Sequence, residues 1–341
     1  MASLPLPLVS RRVWRAALVV LLLWFGATTP VSAAKGGVSR IRLGSPNDAR
    51  PALIGPSYFL QGNGSPLTSA YQVHIDQVAA APLDIVVLAA SAPSSGSKTP
   101  ECDALIRLRN VNSCETITIT QASGANDTGA TGAVNNAELV YFAGGNQCNY
   151  VGWKGSSVYN AVKGVVARGG GVGGGSAGLA IQGDYVYDAC NGSVLSSEAL
   201  NNPYHRYISF SYDFFNWQPL VQVITDSHFV ERDRMGRLMA FVARQIKDGK
   251  AIAAYGLGID ANSVMLIDKN GLGQVYGGVA YVVLGDHQPE RCVSRQPLSF
   301  SNYKIWKLTA NQTYDFQNRP TTGAYLRSVA NGVIDGDPYN P

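Results

Sequence analysis

Apolar residues in this chain fall in short unbroken runs separated by small and polar residues, with no long helical stripe until the second half. Residues 58–60, 84–90, 116–120 and 139–142 predict strands, because continuous apolar runs mark strands covered on both faces. Segments of helical character alternate with them, at 102–108 and 158–167. Strands alternating with helices predict an α/β domain around a mostly parallel sheet flanked by helices. Further on, residues 221–225 predict a strand and 234–247 an amphipathic helix, with Met235, Leu238, Met239 and Val242 on one face. Runs at 251–255, 264–268, 275–284 and 305–308 then make a β-rich C-terminal part. No repeat and no interdomain linker interrupts this pattern.

Residues 169–178 read Gly-Gly-Gly-Val-Gly-Gly-Gly-Ser-Ala-Gly, and within them 174–178 fit G-x-S-x-G. In that pattern a sharp strand-to-helix turn holds the serine hydroxyl clear of the sheet, which makes Ser176 a candidate nucleophile. The preceding helix ends in glycines, so any strand entering the turn must be very short. Leu179-Ala180-Ile181 can begin a second helix, whose N-terminal N–H groups favour negative charge near the serine. The same run also fits G-x-G-x-x-G at 169–174. A dinucleotide loop, however, places its glycines between strand and helix, and here a helix comes first. A flexible linker is the other reading of a glycine-rich tract. The apolar segments on both sides favour the elbow.

A serine nucleophile needs a base, and the chain has four histidines. His228 follows the strand predicted at 221–225, at the end where open α/β sheets form a ligand crevice. It also lies in a charged cluster that includes Asp226, Glu231, Asp233, Arg234 and Arg237. His205 and His287 lie in polar turns. An oxyanion hole needs backbone N–H groups aimed at the developing charge. Gly145, just past the strand at 139–142, and Ala177, just past the serine, are candidate donors. Gly144-Gly145 also has the plain reading of a strand-ending turn. No cysteine or histidine spacing points to a metal site, and no motif points to a cofactor.

The N-terminus carries Arg11, Arg12 and Arg15, an apolar stretch at 16–27, then Val31-Ser32-Ala33. That is the layout of a cleaved secretory signal, too short in its apolar part to span a bilayer. An uncleaved N-terminal anchor is the alternative. Removing residues 1–33 takes away three arginines and no acid, so the formal charge falls from +4 to +1. The mature chain thus lacks the basic field that nucleic-acid binding requires. A secreted or periplasmic location permits disulfides, but five cysteines leave at least one thiol outside any internal pair.

Gly144-Gly145-Asn146-Gln147, the elbow at 174–178 and the run 226–238, in this order and spacing, resemble cyanophycinase and its relative aspartyl dipeptidase. Gln147-Cys148-Asn149-Tyr150, Asp226-Ser227-His228-Phe229 and Gly258-Ile259-Asp260 add to the likeness, which is closest to the secreted cyanophycinase-like branch. The resemblance covers roughly residues 55–315. It implies a flavodoxin-like α/β fold related to class I glutamine amidotransferases, with serine in place of cysteine. It implies Ser176 as nucleophile, His228 as base, and Gln147, Arg234 and Arg237 as substrate contacts. The implied substrate is a peptide or polymer like cyanophycin, poly-aspartate bearing arginine side groups, released as β-aspartyl-arginine. Arginine forks suit carboxylates, and a substrate guanidinium needs a carboxylate partner, for which Asp226 is a candidate. Homodimers occur among such relatives.

The chain departs from the family at the third triad member, a glutamate directly after Gly-Ile-Asp. Here that position is Ala261, and the adjacent Asp260 serves only if the local backbone bends toward the imidazole. Gly175 also stands where the family usually has threonine. Two expectations follow: a secreted serine exopeptidase with a rearranged acid, or a catalytically silent relative that binds aspartyl or arginyl peptides. The chain divides in this reading into a signal peptide (1–33), a loosely held leader (34–54), a peptidase domain (55–315) and a C-terminal extension (316–341).

Overall fold

The computed structural model describes residues 1–2, 37–93 and 96–341; the expected signal peptide, beyond its first two residues, lies outside them. Nine strands form the first sheet among these residues, and it grows from the buried runs anticipated above. In chain order they begin with β1 (Val38–Gly44), β2 (Ser57–Gln61), β3 (Leu83–Ala89), β4 (Val111–Ile119), β5 (Leu139–Phe142) and β6 (Gly171–Gly175). The second sheet opens with β7 (Tyr185–Tyr187), β8 (Phe210–Tyr212), β9 (Val223–Asp226) and β10 (Ala254–Ile259). The β-rich end supplies β11 (Ser263–Ile267), β12 (Leu272–Gly277), β13 (Val279–Gly285), β14 (Phe300–Thr309), β15 (Thr313–Asp315), β16 (Tyr325–Ala330) and β17 (Val333–Ile334).

The first sheet runs β1-β4-β3-β5-β6-β2-β11-β12-β15. Its centre, from β4 to β2, is parallel, and the flanking pairs are antiparallel. The second runs β17-β16-β14-β13-β10-β9-β7-β8, parallel only where β9 meets β10 and β7. The molecule is therefore a mixed α/β structure with two large sheets. Helices are α1 (Thr68–Val78), α2 (Pro100–Leu105), α3 (Thr128–Asn136), α4 (Gln147–Val151), α5 (Ser157–Ala167), α6 (Ala177–Ala180), α7 (Ser196–Asn201) and α8 (Met235–Lys247).

Period-two alternation along the strands sorts side chains into layers. Val86 and Leu88 of β3 share a core with Val158 and Val162 of α5 and Val282 of β13. Their neighbours Ile85 and Val87 point the other way, onto Tyr71 and Ile75 of α1. Tyr281 and Val283 likewise face Leu238 and Phe241 of α8. Helix α5 starts where Ser156 accepts from the Tyr159 N–H at 3.2 Å, the side-chain cap that frees no amide to compete.

Both ends of the domain scheme need correction. Residues 38–44, expected as a loose leader, are β1, paired with β4 along its whole length. Arg40 bonds Glu115 at 2.6 Å, and Arg42 reaches Asp84 at 3.3 Å, so charges that look like a solvated tail neutralise buried carboxylates. The supposed C-terminal extension adds β16 and β17 to the second sheet, and Tyr339 reaches back to the start of α8. Residues 37–341 belong to one compact unit.

Candidate active site

The elbow is a steric construction. Strand β6 has five residues, Ser176 follows at φ 52° and ψ −111°, and α6 starts at Ala177. A non-glycine residue at positive φ is strained, and this strain lifts the hydroxyl out of the sheet. The surrounding glycines are required by close approach. A Cβ at Gly174 would strike the Gly178 backbone, and one at Gly178 would strike the Phe142 carbonyl. At Gly175 the space is occupied by the Tyr141 hydroxyl, which explains glycine at that position.

Strand β2 and the residue after it set the distance between Ser176 and His228. The Ser176 N–H donates to the Gln61 carbonyl at 3.1 Å, and the His228 N–H donates to the next carbonyl, Gly62, at 3.3 Å. Two residues 52 positions apart thus hang from adjacent peptides. Gly62 has no room for a side chain, because a Cβ there would run into the Asp260 and Ile259 carbonyls.

The side chains then meet. Ser176 Oγ lies 2.9 Å from His228 Nε2. On the far side of the ring, Nδ1 lies 2.8 Å from Glu231 Oε2. The histidine side chain is 6% exposed and the glutamate 44%. With Glu231 ionised, the ring carries its proton on Nδ1 and presents Nε2 to the serine as an acceptor. Burial lowers the His228 pKa, helped by Arg232 and Arg234, while the Glu231 hydrogen bond opposes that shift. The hydrogen bond from His228 holds the Glu231 carboxyl below its ordinary value.

Asp260, expected as the substitute acid, does not touch the imidazole. Its Oδ1 accepts the Val230 and Glu231 N–H groups, each at 2.9 Å. It stays with the backbone because it leaves β10 toward the turn that holds Glu231, not toward the ring. Asp260 therefore fixes the loop, and the carboxylate beside the imidazole belongs to Glu231. The signal available in the sequence was spacing: His228 and Glu231 stand three apart in one tight turn, closed by the Arg232 N–H to the His228 carbonyl at 3.0 Å.

Asp226 also departs from expectation. Arg237 clamps it from Nε at 2.7 Å and from Nη2 at 2.5 Å, and both residues are 3% exposed. The remaining Arg237 nitrogen donates to Ser193 Oγ and the Val194 carbonyl, both at 3.2 Å. Asp226 is thus unavailable to a substrate guanidinium, and Arg237 has no fork left for a carboxylate. A buried bidentate pair of this kind satisfies both charges internally.

Arg234 is different. One of its terminal nitrogens bonds the Ser227 carbonyl at 2.8 Å and stands 3.5 Å from Asp226. Burial draws its pKa down to about 10, against the opposing pull of Asp226. Arg234 lines a pocket of about 310 Å³ together with Ser176, His228, Gln147 and Gly145. Neither the Gly145 nor the Ala177 N–H donates to a backbone carbonyl among the described residues. Both line the pocket, as an oxyanion hole requires. A Cys148–Cys190 disulfide ties the Gln147 wall to the Ala189 wall. Cys102 pairs with Cys114, and Cys292 is free and buried. No group of three or more metal-ligating side chains is gathered among the described residues.

No protein-family model matches this chain, and no curated protein does. Among solved structures the fold is similar to that of a peptidase from an acI-B1 actinobacterium. The sequences are 13% identical, the TM-score is 0.53, and the match covers 78% of this chain and 98% of the other. A peptidase E candidate from Listeria monocytogenes EGD-e aligns at 14% identity and a TM-score of 0.40, over 63% of this chain and 95% of its own. The first likeness establishes a shared fold.

Proposed function

We propose that this chain is a secreted serine-type exopeptidase of the cyanophycinase kind, working through Ser176, His228 and Glu231. The observation that carries the reading is the continuous chain of two hydrogen bonds, 2.9 Å and 2.8 Å, from the serine hydroxyl through the imidazole to a carboxylate. As Ser176 Oγ attacks an amide carbonyl, its proton passes to His228 Nε2, and Glu231 stabilises the imidazolium. The Gly145 and Ala177 N–H groups receive the oxyanion. Collapse breaks the C–N bond, and the imidazolium returns the proton to the departing amine. Water then repeats the sequence on the acyl-enzyme.

Arg234 favours a substrate carboxylate beside the scissile bond, which an aspartyl unit supplies. Cyanophycin, cut to β-aspartyl-arginine, fits that requirement. Glu231 beside the imidazole favours the active enzyme over a catalytically silent relative, the case for which rested on Ala261. The order of β3 to β6 in the sheet, second-first-third-fourth, supports a flavodoxin-like relationship; β2 takes the fifth place. Export is supported by the basic and apolar N-terminus and by two disulfides.

Purified mature protein incubated with cyanophycin should release β-aspartyl-arginine, detected by mass spectrometry, and Ser176→Ala should release none. A serine-reactive fluorophosphonate tests the chemistry apart from the substrate. Labelling of Ser176 with the polymer left intact would discard cyanophycin and keep the hydrolase; no labelling would discard both.

A further inference from the structure

A second crevice of about 410 Å³ opens on the far side of Gly144 and Gly145 from the catalytic histidine, and the mechanism above makes no use of it. It lies at the carboxyl ends of β3 and β5. The chain order reverses between these two strands, since β4 lies on one side of β3 and β5 on the other. Open α/β sheets bind ligands at such a reversal, because the two following loops diverge and leave a gap.

Gly145 lines both pockets. A Cβ added to Gly144 would stand 3.7 Å from the Ser176 Cβ, and one added to Gly145 would stand 3.3 Å from Ser91 Oγ. Backbone without side chains at Gly144 and Gly145 is thus what separates the nucleophile from the crevice. Gly145 also has φ 138°, a conformation that excludes most other residues.

One buried polar group in the crevice lacks a hydrogen-bond partner among the described residues, and one acid there makes no ion pair. Thr116 is 3% exposed, and its Oγ1 has no hydrogen-bond partner. Buried hydroxyls are nearly always bonded, so an orphan marks a place for something else. Glu101 makes no ion pair, its carboxyl bonding only its own backbone, and burial raises its pKa. Among the described residues no basic side chain lines this crevice, whereas Arg232, Arg234 and Arg237 line the catalytic pocket. The two spaces on either side of the glycines therefore carry opposite charge.

We propose that the crevice is a subsite for a cationic substrate group, a guanidinium or an ammonium, neutralised by Glu101 and donating one N–H to Thr116 Oγ1. The claim that this cation belongs to a substrate rests on the peptidase reading. The site then selects peptides with an anion near the scissile bond and a cation beyond it. Asp226 cannot fill that role, because Arg237 already occupies it.

Agmatine, which has a guanidinium and an ammonium but no carboxylate, isolates the subsite. Calorimetry of the Ser176→Ala protein should show saturable agmatine binding, weakened at least tenfold by Glu101→Gln and at least threefold by Thr116→Val. Arg234→Ala should leave agmatine affinity within twofold. Absent binding, or equal affinity in Glu101→Gln, overturns the proposal. If Glu101→Gln does not fold, the Thr116→Val arm decides alone. In turnover, the kcat/KM ratio of a short polymer of β-aspartyl-arginine units to the same polymer carrying citrulline for arginine should fall at least tenfold in Glu101→Gln, and an unchanged ratio overturns the substrate role. Agmatine binding without turnover of either polymer supports the cation site and sinks the peptidase reading alone.

Discussion

The elbow around Ser176 is built from backbone and from side chains that are missing, whereas the loop carrying His228 is built from charge. In the elbow, Gly174, Gly175 and Gly178 each yield their Cβ space to a neighbour, and the serine is strained into position. In the loop, Arg237 clamps Asp226, Arg234 ties back to Ser227, and Asp260 collects two N–H groups. The halves join at consecutive carbonyls, Gln61 and Gly62. One half therefore fails by added volume, the other by lost charge.

The most severe break expected is a methyl group in the elbow. Gly178→Ala must displace the Phe142 carbonyl, and a shift of about 1 Å at the nucleophile costs about 10²-fold or more in kcat/KM. Combined with overpacking of about 1–3 kcal/mol, this should leave little active protein, read by thermal melts and by turnover. Gly62→Ala should behave alike, since it separates the shared anchor.

Glu231→Gln breaks the histidine half without adding volume. An uncharged amide cannot stabilise the imidazolium, and a loss of about 10²–10⁴ in kcat is expected with KM nearly constant. Ala261→Glu should give less than a twofold gain, because the position beside Nδ1 is filled. A large gain from Ala261→Glu would overturn Glu231 as the acid.

Asp226→Asn tests the charge support beneath the loop. It leaves Arg237 buried without a counter-ion, a cost of about 3–5 kcal/mol measured as a drop in denaturation midpoint. The same substitution in an exposed ion pair would change stability by less than about 1 kcal/mol.

The smallest effect is the position of the acid limb of the pH profile. If neutral His228 is the base, as proposed, activity is full above its pKa and falls as pH drops through it. Burial places that pKa below the ordinary value, about 6.5 for histidine, so the limb should lie below pH 6.5. Glu231 raises the His228 pKa, so the residual activity of Glu231→Gln should show a limb displaced to lower pH. A limb displaced upward would contradict the hydrogen bond.

Features with a local cause were readable along the chain. The apolar run at 139–142 is β5, the periodic segment at 234–247 is α8 from Met235 onward, and the G-x-S-x-G spacing yields the strained turn. Each follows from sterics or periodicity within a few residues of one another. Strand β1 was unreadable because its arginines find Glu115 and Asp84 only after a strand more than 70 residues away, or 42, comes alongside. The β-rich end was legible as strands but not as a second sheet, because pairing is long-range.

The identity of the acid belongs to the same class. Asp226, Asp260 and Glu231 all stand near His228 in the chain or across the turn, and composition treats them alike. Folding assigns one to an arginine, one to two amides and one to the imidazole, because charge satisfaction depends on through-space neighbours rather than on spacing. Local geometry could nominate the serine and its histidine. Only three-dimensional packing could choose the partner that orients the ring.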